Sequence, residues 1–311
     1  MELFLLRPRG FCAGVVRAIK TVEKALEMWG APIYVKHEIV HNKHVVNALK
    51  EKGAIFIEDL KDVPIGEKVI FSAHGVAPQI REEAKKRDLL QIDATCGLVT
   101  KIHSAVKRFA KKGYKIVLIG KKKHVEIIGI AKEAEDDTVI IEKKLDIENL
   151  NFQKDQKLFY ITQTTLSIDD VKDIIKALKE KYPQIETLPS SSICYATTNR
   201  QMALKEILDK IDLVLVVGDP TSSNSNRLKE LASKRQKEAY LINSEDEIDI
   251  NWLQNVKTIT MTAGASTPED VVQRCIEKLY KMGLKGVSEI IYKDEDVVFA
   301  LPKELDLAFT K

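Results

Sequence analysis

Read from its amino terminus, the chain alternates short apolar runs with stretches whose apolar residues recur every three or four positions. VIF at 69–71, IVLIG at 116–120, LFYIT at 158–162, LVLVVG at 213–218 and TITMTAG at 258–264 are dense in aliphatic, aromatic and β-branched residues, the composition of strands covered on both faces. An amphipathic helical pattern follows each of them. Repetition of strand then helix predicts parallel α/β layers.

The helical patterns align when they are set on cysteine. After Cys12, Val15, Ile19, Val22 and Leu26 share one face; after Cys96, so do Val99, Ile102, Val106 and Phe109; after Cys194, so do Leu204, Ile207, Leu208 and Ile211. Three cysteines therefore stand at or just before predicted helix starts. A second unit repeats as strand, polar loop and helix in VIFSAHGVAPQIREEAKKR, IVLIGKKKHVEIIGIAKEA and LVLVVGDPTSSNSNRLKELASK. Three copies of each predict an α/β fold of three similar modules in a pseudo-threefold arrangement around a shared centre. The modules are drawn from residues 13–96, from 97–193, and from 1–12 with 194–281, leaving 282–311 as a C-terminal tail.

Composition narrows the partners. With 311 residues and 44% hydrophobic content the chain has material for substantial cores, and 49 basic against 46 acidic residues leave a net charge of only +3. Neither a nucleic acid nor an acidic membrane is expected as main partner. The opening MELFLLRPRGF has no secretory pattern and LVLVV at 213–217 is too short to span a bilayer, so a soluble chain that is not secreted is expected.

The cysteines carry the first chemistry. A helix N-terminus stabilises a thiolate and so improves it as a ligand. No CxxC pair exists, so neither a thioredoxin-type redox pair nor a local zinc ribbon is encoded, and ligands would have to converge from separate modules. Three thiolates suit an iron–sulfur cluster with one iron lacking a protein sulfur, or a zinc ion completed by histidine. Three buried structural thiols are the plainer alternative. Cys275, in EDVVQRCIEKLYK, falls mid-helix among Val271, Val272, Ile276 and Leu279 and reads as packing.

Polar loops supply the rest. His41, His74 and His124 lie in EIVHNKHV, FSAHGVAP and KKKHVEII, where imidazoles can donate to phosphate; His37, His44 and His103 read as surface or helix-face residues. Ser222, Ser223, Asn224 and Ser266 sit at helix starts, where they cap helices and also build anion sites. No P-loop or GxGxxG occurs, so the candidate anion is a small diphosphate cradled by side chains. Glu126 is a candidate proton donor if desolvation raises its pKa, with Gln163, Thr164 and Thr165 in the TQTT loop extending a hydrogen-bonded relay.

Taken together, PRGFCAGV, YVKHEIVHN, FSAHGV, DATCGLVTKIH, TQTTLS, ICYATTNRQ, SSNSNRL and TAGASTP resemble, in order, the motifs of the 4-hydroxy-3-methylbut-2-enyl diphosphate reductase (LytB/IspH) family, from Leu3 to the PKEL segment near 305. That resemblance implies three α/β modules around a central [4Fe-4S] cluster held by Cys12, Cys96 and Cys194. It implies substrate contacts, mainly to the diphosphate, from His41, His74, His124, Thr164, Ser222, Ser223, Asn224 and Ser266, and proton delivery by Glu126 with Thr164. The implied reaction is reductive loss of an allylic hydroxyl bound at the unique iron, giving isopentenyl and dimethylallyl diphosphates at the end of the non-mevalonate pathway. Ferredoxin or flavodoxin is the implied electron donor. Gly97 and Val125 stand where the family pattern leads one to expect proline, and Asp219 where a more basic or neutral loop is expected. A non-enzymatic iron–sulfur or zinc sensor, and a metal-free phosphate-binding module, are the competing readings.

Overall fold

A computed structural model describes residues 1–190 and 192–305. Its strands are β1 (Glu2–Arg7), β2 (Ile33–Lys36), β3 (Ala54–Ile57), β4 (Lys68–Phe71), β5 (Leu90–Asp93), β6 (Lys115–Ile119), β7 (Thr138–Ile141), β8 (Leu158–Thr162), β9 (Leu213–Val217), β10 (Glu238–Ile242), β11 (Thr258–Ala263) and β12 (Gly286–Ile291). Its α-helices are α1 (Ala13–Trp29), α2 (Lys43–Glu51), α3 (Pro78–Lys86), α4 (Gly97–Ala110), α5 (Val125–Ala131), α6 (Ile168–Lys181), α7 (Tyr195–Ile207), α8 (Ser223–Lys234) and α9 (Glu269–Lys281). The class is α/β, and every strand pair in the three sheets is parallel.

The chain forms two compact units. One contains Met1–Val16, His41–Asn47 and Tyr195–Val298; the other contains Arg17–Val40, Ala48–Cys194 and the chain from Phe299. The first unit holds a sheet ordered β10-β9-β11-β1-β12, and the second holds sheets ordered β3-β2-β4-β5 and β7-β6-β8. Residues 286–291 thus add an edge strand, β12, beside β1.

Strand order reveals the internal repeat. Each sheet contains a triplet in which the first strand in sequence lies between the next two: β3-β2-β4, β7-β6-β8 and β10-β9-β11. The connections leaving the first and third strands of a triplet therefore run in opposite directions and open a crevice at the strands' carboxyl ends. The structural counterpart of IVLIG and LVLVV is IYVK at 33–36, whereas VIF is a third strand, equivalent to LFYIT and TITMTA. The VIF repeat unit read from sequence is therefore offset by two strands. β2 is four residues long and only alternately buried, so it gave no continuous apolar run.

Burial explains why the continuous runs are strands. Along β9, Leu213, Leu215 and Val217 face α9 residues Val271, Val272 and Leu279, while Val214 and Val216 pack on the other side with Leu204, Ile207, Leu228 and Leu231 of α7 and α8. In β6, Val117 and Ile119 meet Val171, Ile174 and Leu178 of α6, while Ile116 and Leu118 meet Ile102, Val106, Ile127 and Ile130 of α4 and α5. Helices on both faces demand apolar residues at every strand position. Cys275 lies in the α9 core, and burial pushes its thiol up to about 12, far from a reactive thiolate. The cysteine-set pattern after Cys194 runs past its helix: α7 ends at Ile207 and a 3-10 turn carries Leu208. Among the described residues no helix is long and apolar enough to cross a membrane.

Candidate active site

The crevices collect the sequence-singled residues. In the unit holding β9 and β11, Gly218 and Gly264 follow the two adjacent strands, and a Cβ at either would collide with Ser225 Oγ. Glycine there lets the start of α8 approach the strand ends. Ser222 caps α8 by accepting from the Ser225 N–H at 3.4 Å, and Ser223 and Asn224 occupy the buried first turn. Ser266, in the loop after β11, donates to the His41 carbonyl at 2.9 Å. The Ala265 carbonyl accepts from the Cys12 N–H at 3.1 Å. Cys12, His41, Ser266 and the α8 N-terminus thus belong to one bonded set of loops.

Asp219 fastens that set. Its carboxylate accepts from Thr221 N–H at 2.8 Å, Thr221 Oγ1 at 2.6 Å and Lys43 N–H at 3.0 Å. Desolvation by burial acts to raise its pKa, but these donors and the Lys43 charge outweigh it and hold Asp219 below the usual carboxylate range. Its negative charge is committed to the chain's own amides, two residues beyond His41. Asn224 is the opposite case: both amide atoms are buried and have no hydrogen-bond partner among the described residues. An orphaned buried amide costs about 1–3 kcal/mol, a cost that a ligand with matching polar atoms removes. Thr267 donates to the Val217 carbonyl at 3.0 Å, and Pro268 takes the N-cap position of α9.

The other unit holds His74, His124, Glu126 and Thr164. His124 is the N-cap of α5, its Nδ1 accepting from the Glu126 N–H at 3.2 Å. Nδ1 as acceptor puts the neutral ring's proton on Nε2, the nitrogen that can donate outward. The rings of His74 and His124 lie 6.1 Å apart, centroid to centroid. Glu126 is 2% exposed, and Thr164 donates to it twice, N–H to Oε1 and Oγ1 to Oε2, both at 2.8 Å. Desolvation dominates and raises the Glu126 pKa, opposed by the two Thr164 bonds and by the charge of His103.

Two cysteines are tied to these loops. The Cys194 N–H donates to the Thr164 carbonyl at 3.0 Å, and the Cys96 N–H to the Ala73 carbonyl, beside His74, at 3.0 Å. Cys96 is the N-cap of α4, Cys194 immediately precedes α7 and Cys12 immediately precedes α1, so all three stand at helix starts and all are half-buried. A cysteine at a helix start is well placed to be a metal ligand, and cysteine sulfur is the donor that an iron–sulfur centre takes. Gln163 ties down the loop after β8: its side-chain oxygen accepts from the Lys121 N–H at 3.0 Å and its amide donates to Thr165 Oγ1 at 3.1 Å.

Sequence reasoning passed over other residues. His103 is buried on α4 with Nδ1 2.8 Å from Glu133, so a carboxylate does stand beside it. His37 and His44 bond Glu58 and the Asn243 carbonyl, each at 2.8 Å. Arg200, wholly buried on α7, pairs with Glu295 at 3.2 Å. The available signal was the run TTNRQ at 197–201, five polar residues in succession where an amphipathic helix would alternate.

A family model described as LytB protein matches residues 3–280. The 4-hydroxy-3-methylbut-2-enyl diphosphate reductase of Protochlamydia amoebophila is 67% identical over 98% of this chain and 97% of its own, and that of Chlamydia pneumoniae is 63% identical over 98% of both. Among solved structures, the E-1-hydroxy-2-methyl-but-2-enyl-4-diphosphate reductase from Plasmodium falciparum superposes with a TM-score of 0.97 at 49% identity, covering 99% of this chain and 98% of that one. A second, the (E)-4-hydroxy-3-methyl-but-2-enyl diphosphate reductase described as the terminal enzyme of the non-mevalonate pathway, gives 0.65 at 28% identity over 90% of this chain and 99% of its own.

Proposed function

Since the chain belongs to the LytB protein family, we propose that it reduces 4-hydroxy-3-methylbut-2-enyl diphosphate to isopentenyl and dimethylallyl diphosphates, the last step of the non-mevalonate isoprenoid pathway. The allylic C–O bond breaks with two electrons and two protons, one proton leaving in water and the other ending on carbon. Cys12, Cys96 and Cys194 would hold a [4Fe-4S] cluster. When bound, the cluster supplies the two electrons and a Lewis-acidic iron for the allylic hydroxyl. A ferredoxin- or flavodoxin-type donor would recharge it.

The residues of the chain supply position and protons. His124 presents Nε2–H, and His41, His74, Ser222, Ser223, Asn224 and Ser266 contribute further groups suited to a diphosphate. The orphaned Asn224 amide supports a ligand at the α8 N-terminus, where helix amides and dipole favour an anion. Holding the diphosphate fixes the carbon skeleton and converts proton transfer into a near-unimolecular step.

The observation that carries the reading is Glu126. A carboxyl buried on all sides, its pKa raised by desolvation, holds its proton to higher pH than an exposed glutamate would, and Thr164 bonds both of its oxygens. Thr164 grips both carboxylate oxygens and stabilises the ionised form left after transfer.

The test is anaerobic purification, visible and electron-paramagnetic spectra, and turnover of the hydroxylated allylic diphosphate under a strong reductant with both products assayed. Iron-dependent turnover lost in Glu126→Gln, with the cluster spectrum retained, is the expected result. A chain that takes up no cluster refutes the proposal, and a cluster-bearing chain inert toward the substrate makes it a sensor.

A further inference from the structure

Arg200 is the largest fully buried side chain among the described residues, and its partners explain why it is there. It donates to the Gly10 carbonyl at 2.7 Å, to the Ala196 carbonyl at 2.9 Å and to both carboxylate oxygens of Glu295 at 3.2 Å. Asn199 Nδ2 adds a bond to Glu295 Oε1 at 2.9 Å. Gly10 lies two residues before Cys12, and Asn199 and Arg200 lie on the helix that Cys194 precedes. Glu295 comes from beyond β12. Desolvation offsets most of what a buried ion pair gains, so such a pair contributes mainly a defined geometry.

The same segment continues into the other unit. There Phe299 lies over Gly97, the residue after Cys96: a Cβ built on Gly97 would stand 3.4 Å from its ring. The Ala300 carbonyl accepts from Arg17 Nε at 2.7 Å, and Arg17 also donates to the carbonyls of Thr95 at 3.0 Å and Asp93 at 3.1 Å. Within the first unit, then, Glu295 bonds Asn199 and Arg200 of the helix that follows Cys194, and Arg200 carries the contact on to the Gly10 carbonyl; within the second, Phe299 meets Gly97, and Ala300 shares Arg17 with the carbonyls of Thr95 and Asp93. At Gly97 the backbone is least restrained by its own residue type, and that is where the aromatic ring packs.

We propose that residues 295–300 are a positioning strap for the three cysteine-bearing turns, and that this C-terminal segment sets how firmly the chain retains its iron–sulfur cluster. The strap rests on the cluster assignment made above. Groups that orient metal ligands characteristically change retention and electronic structure more than they change the fold.

The experiment follows bleaching of the visible absorbance of anaerobic, cluster-loaded protein in excess iron chelator. It also records the electron-paramagnetic spectrum of the reduced cluster and the melting of the metal-free protein. Phe299→Ala and Glu295→Gln are each expected to lose the cluster about tenfold faster than the unaltered chain, with an altered spectrum. Gly97→Pro in the Phe299→Ala background is expected to slow the loss again, because the proline ring restores covalently the restraint that packing supplied. Unchanged bleaching and spectrum in Phe299→Ala overturn the strap, whether or not Glu295→Gln folds, as does acceleration matched by an equal loss of metal-free stability. If the unaltered chain binds no cluster, the underlying assignment fails instead.

Discussion

Thr164→Val isolates the hydroxyl half of the Glu126 clamp. The substitution nearly conserves volume, keeps the backbone N–H bond to Oε1 and removes only the Oγ1 bond to Oε2 at 2.8 Å. When Glu126 is ionised this is a buried charge-assisted bond, worth about 1.5–3 kcal/mol; when Glu126 is protonated the loss falls to about 0.5–1.5 kcal/mol. The sign follows from linkage. The folded pKa of Glu126 lies above its ordinary value of 4.5, so its favourable contribution is full below 4.5 and is lost as pH rises through the raised folded value. Removing the hydroxyl raises the folded pKa further. The stability difference between the parent and Thr164→Val must therefore widen with pH, by about 1–2 kcal/mol across the titration. Urea unfolding of the metal-free chains at a series of pH values from 4.5 upward measures it. A difference that is constant with pH, or larger on the acid side, refutes the assignment of Glu126 as a buried acid whose ionised form Thr164 holds.

Further outcomes follow from the same geometry. Glu126→Gln should lower kcat by about 10²–10⁴, the worth of a positioned proton donor, with KM little changed; retained turnover would place the acid elsewhere. Relative to the parent, that variant should also gain stability as pH rises, since it never buries a carboxylate, and parallel unfolding curves would contradict this. Asn224→Ala should raise KM about tenfold or more while leaving the ligand-free chain equally or more stable, because it deletes buried amide atoms that have no protein partner. Gly97→Pro alone should stabilise the metal-free chain by about 0.4–1 kcal/mol, since position 97 opens α4, where proline is favoured; a loss of stability by thermal melting would mean that the Phe299 contact does not tolerate the ring.

Parts of the site were visible as local chemistry. Cysteines ahead of three amphipathic patterns, serines ahead of α8 and a histidine ahead of α5 are helix-start signals, and α8 and α5 do use Ser222 and His124 as caps. Such features depend on the next few residues. The burial of Glu126 does not: an acid in the first turn of a short helix is ordinarily solvated, and only packing of α5 against its sheet and the 162–166 loop dehydrates it. Asp219 was open in the same way. Its sequence neighbours left either direction available to the carboxylate, and the Lys43 amide, 176 residues away, decided that it turns into a loop clasp.

The amino-acid order alone determined the α/β class, the continuous strands at 116–119, 158–162 and 213–217, and the cysteines at helix starts, because each follows from periodicity and short-range backbone chemistry. Tertiary structure alone decided which strands are equivalent, since pairing order depends on crossovers that leave no local mark and β2 carries no long apolar run. It also decided that Arg200 finds Glu295 and that Phe299 meets Gly97. Those partners lie roughly a hundred to two hundred residues apart, and hydrogen bonding and burial at that range are set by the folded sheets rather than by any window of sequence.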